Sequence, residues 1–134
     1  MTSRRNRILV VDDDADIRDA LEQVLLSAGN RVSTAKNGKD ALDLIQTIRP
    51  DVILLDLMMP VMDGFRFREA QKQDRTLADI PVVIISAVAA QNAAALGDVA
   101  ACLAKPFSID VLLDTISMCQ RQESRRDAVA PSGQ

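Results

Sequence analysis

Short apolar runs recur along the chain, and each is followed by a stretch with helical spacing. Ile8 to Val11 is a β-branched run, too short for a helix, and predicts a buried strand. Ala15 to Ala28 places Ile17, Leu21, Val24 and Leu25 on one stripe and stops at Gly29, a helix terminator. Arg31 to Ala35 predicts a second strand. Asn37 caps a predicted helix to about Ile48, with Ala41, Leu42, Leu44, Ile45 and Ile48 as its apolar stripe. Pro50 ends it, and Asp51 to Asp56 forms a third strand. Pro60 and Asp63-Gly64 punctuate a loop, and a short helix begins near Phe65.

The alternation continues with a strand at Pro81 to Ile85, an alanine-rich helix from about Ala89 to Leu96, and a strand at Ala100 to Ala104. Ser108 caps the last helix, whose stripe is Val111, Leu112, Ile116 and Cys119. Five apolar strands alternating with helices predict an α/β fold, a parallel sheet covered on both faces. Residues 1–6 are expected to be an N-terminal tail, 7–121 one domain, and 122–134 a flexible C-terminal tail, because the apolar pattern dissolves after Arg121.

Composition narrows the function. The 134 residues suit one core, and 48% of them are hydrophobic. A net charge of −3 and a pI near 4.9 argue against a nucleic-acid-binding body, so Arg4, Arg5 and Arg7 are assigned to a solvated tail. No segment approaches a membrane span or a secretory signal. Cys102 and Cys119 have neither metal-site nor disulfide spacing and are expected to be reduced, packed thiols. The chain has no histidine, which removes Ser-His-Asp and Cys-His catalysis and imidazole metal sites.

The polar residues that remain gather at strand ends. Asp12, Asp13 and Asp14 follow the first strand, Asp56 closes the third, Ser86 follows the fourth and Lys105 the fifth. In a doubly wound sheet ligands bind beyond the carboxyl ends of the strands, where strand order reverses. If the first and third strands are neighbours, Asp12, Asp13 and Asp56 converge on one pocket. Carboxylates so placed raise one another's pKa unless a cation neutralises them, and an all-oxygen cluster with open positions suits Mg²⁺. Lys105 supplies a compact positive charge and Ser86 a hydroxyl donor. Together these are the parts that formation of an aspartyl phosphate needs. Asp14 is expected to be a helix cap.

Four segments carry a family resemblance: Ile8 to Asp14 (ILVVDDD), Asp51 to Gly64 (DVILLDLMMPVMDG), Val82 to Ala87 (VVIISA) and Ala104 to Phe107 (AKPF). They resemble response-regulator receiver domains of two-component signalling, similar to stand-alone chemotaxis-type receivers, over about Arg7 to Gln120. The resemblance implies a flavodoxin-like fold with strand order 2-1-3-4-5. It implies that Asp56 accepts a phosphoryl group from a histidine kinase or histidine phosphotransfer protein. Asp13, Asp56 and the backbone carbonyl of Met58 would bind Mg²⁺ directly, and Asp12 through water. Ser86 and Lys105 would contact the phosphoryl group, and the Lys105-Pro106 bond would be cis. Met58 and Val88 would line the approach of the hydrolytic water, and because both are apolar the resemblance points to slow dephosphorylation.

Two departures fall on the face that most receivers use for output. The position three residues before Lys105, often aromatic in the family, is Cys102, and the alanine-rich helix should be about one turn shorter than usual. Residues Ile80 to Gly97 contain no charge, which reads as a small helix packed on the sheet, with an apolar docking surface as the sharper alternative. The expected output is a switch in protein–protein interactions, by a cytoplasmic monomer or weak dimer that turns over no external substrate and contacts neither nucleic acid nor membrane.

Two other readings use the same parts. A degenerate receiver would act as a phosphorylation-independent interaction module, against which the complete set of strand-end residues argues. An aspartyl-phosphate phosphatase similar to the haloacid dehalogenase enzymes would place its nucleophile on the first strand and its acidic pair late. Here the order is reversed. A nucleotide-binding domain is disfavoured by Asp12-Asp13-Asp14, where a glycine-rich loop would be needed.

Overall fold

The computed structural model describes residues 6–87 and 99–129, with side chains described as far as Cys119. Its elements run β1 (Arg7–Val11), α1 (Ala15–Ser27), β2 (Arg31–Ala35), α2 (Gly38–Ile45), β3 (Val52–Leu55), α3 (Gly64–Gln73), β4 (Val82–Ser86), β5 (Ala101–Ala104) and α4 (Ile109–Val129). All neighbouring strands pair parallel, in the order β2-β1-β3-β4-β5. The strand pattern and the expected order therefore hold. The alanine-rich helix, Val88 and the charge-free stretch beyond Ala87 lie outside the described residues.

Side-chain alternation along each strand divides the core into two layers. Leu9, Val11, Ile53, Leu55 and Ile84 point to one face and pack with Ala41 and Ile45 of α2 and Phe67 of α3. Ile8, Val10, Val52, Leu54, Val83 and Ile85 point to the other, against Leu21 and Leu25 of α1 and Leu112, Ile116 and Cys119 of α4. Strands covered on both faces must be apolar at every position, which is why β3 and β4 are continuous runs with every residue buried.

Helix ends follow local chemistry. Asp14 is the N-cap of α1, its carboxylate accepting from the N–H groups of Asp16 and Ile17. Asn37 caps α2, Asp63 caps α3 by accepting from Arg66 N–H, and the Ser108 hydroxyl accepts from Val111 N–H. Past the C-terminal end of α1, Gly29 takes φ +95°, a conformation open to glycine at little cost. One expectation is corrected: α4 continues past Arg121 to Val129. Gln120, Arg121, Gln122, Glu123, Arg125 and Arg126 are good helix formers, so the helix propagates after its apolar stripe has ended.

A buried polar knot beneath α3 has no signature in the apolar pattern. Gln71 is wholly buried and donates to the carbonyls of Leu77 (2.9 Å) and Ile80 (3.2 Å), while its own carbonyl oxygen accepts from Arg68 at 2.9 Å. It ties the α3–β4 connection to the helix, satisfying main-chain groups that would be costly to bury unpaired.

Candidate phosphoacceptor and metal site

The carboxyl ends of β1 and β3 lie side by side, with Val11 in register with Leu55. The two residues that follow, Asp12 and Asp56, are thereby forced together. The N–H of Asp12 donates to Ala35 O and that of Asp56 to Val11 O, so both backbones are continuations of the ladder. Asp12 is fully buried and Asp56 is 5% exposed, while Asp13 is exposed. Asp12, Asp13 and Asp56 each present a ligand oxygen, all within 4.8 Å of one another. This is the convergence expected from the strand ends.

Lys105 enters from the other side. Its N–H donates to Ser86 O at the end of β4, and its ammonium lies 2.8 Å from Asp12 Oδ2 and 3.5 Å from Asp56 Oδ2. The Lys105-Pro106 peptide is cis. Ser86, 1% exposed, ends the strand between β3 and β5, opposite Ala104. The main chain after Asp56 turns so that Met58 N–H faces Asp56 Oδ1 at 3.3 Å, and the Met58 side chain is left 64% exposed.

The electrostatics follow from this crowding. Burial raises the pKa of Asp56 above its usual 3.8, the Asp12 charge adds to the rise, and Lys105 partly offsets it. Burial works against the Lys105 ammonium, but its hydrogen bond and attraction to Asp12, joined by Asp56, hold its pKa above the usual 10.5. Three carboxyl groups around one lysine leave negative charge in excess. The donor set is all oxygen, compact and open on the Asp13 side, and it fits a small hard cation such as Mg²⁺.

Several supporting groups escaped the sequence reading. Arg18, about one turn into α1, donates from Nη1 to Asp12 O at 2.8 Å, and Asp12 Oδ1 accepts from Asp14 N–H at 2.9 Å. Gly64 packs so closely beneath the site that a Cβ there would lie 2.5 Å from Asp56 O and 2.8 Å from Leu57 Cα. Gly38 N–H donates to Met62 O at 2.9 Å, locking the start of α2 to the β3–α3 loop. In that loop Val61 has φ +69° and Met62 N–H bonds back to Pro60 O, a tight turn unusual for a β-branched residue. The Asp-Gly punctuation signalled a turn there, but nothing in the pattern marked Val61 as its strained member.

A five-stranded doubly wound sheet with an acidic pocket at the β1/β3 switch point and a lysine beyond β5 defines a receiver-type signalling fold. The chain belongs to the response regulator receiver domain family, whose sequence profile matches residues 8–117. Response regulator MprA of Mycolicibacterium vanbaalenii is 36% identical over 130 residues, covering 94% of this chain and 55% of that protein. The chain thus spans about half the length of the curated relatives it matches. The chemotaxis response regulator CheY4 of Vibrio cholerae superposes with a TM-score of 0.77 at 34% identity, covering 87% of this chain and 99% of that one. The signal receiver domain of a putative Luxo repressor protein from Vibrio parahaemolyticus has a TM-score of 0.81 at 24% identity, a likeness of fold over 94% of this chain and 98% of that one. Among the described residues no helix is long and apolar enough to cross a membrane.

Proposed function

We propose that this receiver domain accepts a phosphoryl group on Asp56 from a histidine kinase or histidine phosphotransfer protein and uses it to switch protein–protein contacts. The observation that carries the reading is the buried Asp56 carboxylate, held 3.5 Å from the Lys105 ammonium and within reach of Asp12 and Asp13. Asp56 oxygen attacks phosphorus while the bond to the donor imidazole nitrogen breaks, the imidazole leaving with the electron pair. Asp13, Asp56 and the Met58 carbonyl would hold Mg²⁺, with Asp12 behind them. The ion would neutralise the carboxylates and the equatorial phosphoryl oxygens as charge builds.

In this reading Lys105 has two partners in turn. It now holds Asp12 more closely than Asp56, and a phosphoryl dianion on Asp56 would draw it away. Ser86 would donate its hydroxyl to the same group, and the two-state equilibrium of the domain would follow these contacts. Cys102 lies partly buried against the α2/α3 core layer, so any readout through β5 would pass through a small side chain. The chain itself would turn over no external substrate, and its net charge of −3 and pI near 4.9 favour a protein target over a nucleic acid.

The test is intact mass after incubation with acetyl phosphate and Mg²⁺. One phosphoryl adduct on the wild type, absent from Asp56→Asn and from a metal-free control, is the expected result. An adduct that persists in Asp56→Asn would reject Asp56 as the acceptor. No adduct with either acetyl phosphate or a phosphorylated histidine donor would favour an interaction module that works without phosphorylation.

A further inference from the structure

The opposite end of the sheet carries a second charged feature that the phosphoacceptor reading does not use. Arg7 and Arg31 are the first residues of β1 and β2 and are direct register partners. In a parallel pair such partners project from the same face, so the two arginine side chains leave the sheet on the face covered by α2. Like charges directly opposed across strands destabilise a sheet unless something neutralises them. Among the described residues no ion pair is recorded for either arginine. The Asp51 carboxylate accepts through Oδ2 from the main-chain N–H of Arg7 at 2.8 Å.

The two arginines border a cavity of about 270 Å³. Helix α2 ends at Ile45, and the chain then leaves the sheet face, so Ile48 and Pro50 form the far wall while Ile8 and Ser33 complete the lining. The space therefore has a cationic rim with a hydroxyl beside it and an apolar interior. Arginine forks bind carboxylate and phosphate oxygens in pairs, and two of them together match a dianion. An apolar interior does not reward a fully hydrated ion but does reward a hydrocarbon body attached to one.

We propose that Arg7, Arg31 and Ser33 form a binding site for a small organic dianion, its charged head on the two guanidinium groups and its apolar body against Ile48 and Pro50. The site lies at the far end of β1 from Asp12, about 17 Å of strand away. It is therefore independent of the phosphoacceptor reading.

Phenylphosphonate is a suitable probe, because its carbon–phosphorus bond cannot donate a phosphoryl group to Asp56. The protein is titrated without Mg²⁺ while backbone amide resonances are followed. Saturable shifts centred on Arg31, Ser33 and Ile48, weakened about tenfold in Arg7→Gln and again in Arg31→Gln, are expected. Both variants change exposed side chains, and an unchanged spectrum away from the cavity reports that each remains folded. Shifts that do not saturate, that persist in the double variant, or that centre on Asp56 and Met58 would overturn the site. Equal binding of inorganic phosphate would overturn the role of the apolar wall, and with it the ligand class.

Discussion

β3 and β5 carry the opposite charges of one site, yet they are built differently. β3 is the central strand, buried at every position, with Val52, Ile53, Leu54 and Leu55 at most 1% exposed. β5 is an edge strand, three of its residues half-buried and Ala104 exposed. Asp56 therefore stands on the least yielding part of the sheet, and Lys105 on one of the most yielding. A switch benefits from that asymmetry. Under the proposed function, the group that receives the phosphoryl would have to be held still for in-line transfer, whereas the group that answers it would have to move.

The comparison can be broken at either strand. Leu54→Ala should cost about 4 kcal/mol, because it opens a cavity in a layer packed from both sides. Leu103→Ala on β5 should cost only about 1 kcal/mol. Urea unfolding of the two variants measures the contrast, and equal losses would show β5 to be as firmly packed as β3.

Gly64→Ala attacks the rigid side from beneath. Its Cβ would meet Asp56 O and Leu57 Cα, both backbone, so the exit of β3 would have to shift. A loss of about 3 kcal/mol is expected, with slower phosphorylation even at temperatures where the variant is folded. The reverse is expected further along the same loop. Val61→Asn should gain about 1 kcal/mol, since asparagine tolerates the positive φ that valine resists. A lower melting temperature in that variant would mean that the valine side chain contributes more than its backbone costs.

The smallest effects are electrostatic, and they separate the two strands by pH. The folded-state pKa of Asp56 lies above 3.8, so the native metal-free protein retains a proton that the unfolded chain has released. Its stability should fall as pH rises from 3.8 through that raised value, and Asp56→Asn should flatten the decline. Lys105 shows the same sign in a separate, alkaline window, because its raised pKa stabilises the fold below 10.5. That contribution is lost as pH rises through the folded value, and Lys105→Met should remove the alkaline loss. Thermal unfolding followed across both pH windows tests whether stability falls in each as pH rises.

Much of this architecture was legible because the sheet is parallel. A strand buried on both faces leaves an unbroken apolar run, and the residue that ends the run marks the rim where the candidate site gathers. Asp12, Asp56, Ser86 and Lys105 were found in that way, and Asn37 and Ser108 by their capping chemistry. What escaped depended on side chains meeting across the fold. The preference of Lys105 for Asp12, the reach of Arg18 to Asp12 O, and the Gln71 knot beneath α3 have no periodicity to betray them. The extension of α4 escaped for a different reason: helix propensity continued where amphipathicity stopped.

Asp12, Asp13 and Asp14 are chemically identical neighbours that the fold has made into three different reagents. Asp12 is enclosed and engaged by Lys105, Asp13 opens to water, and Asp14 is exposed but occupied with the first N–H groups of α1. A water-soluble carbodiimide, which activates only carboxyl groups it can reach, should tag the triplet unevenly. Asp13 would label fastest, Asp14 more slowly and Asp12 last, so peptide mapping of a single tryptic fragment would report the state of the pocket with no need for a bound ligand.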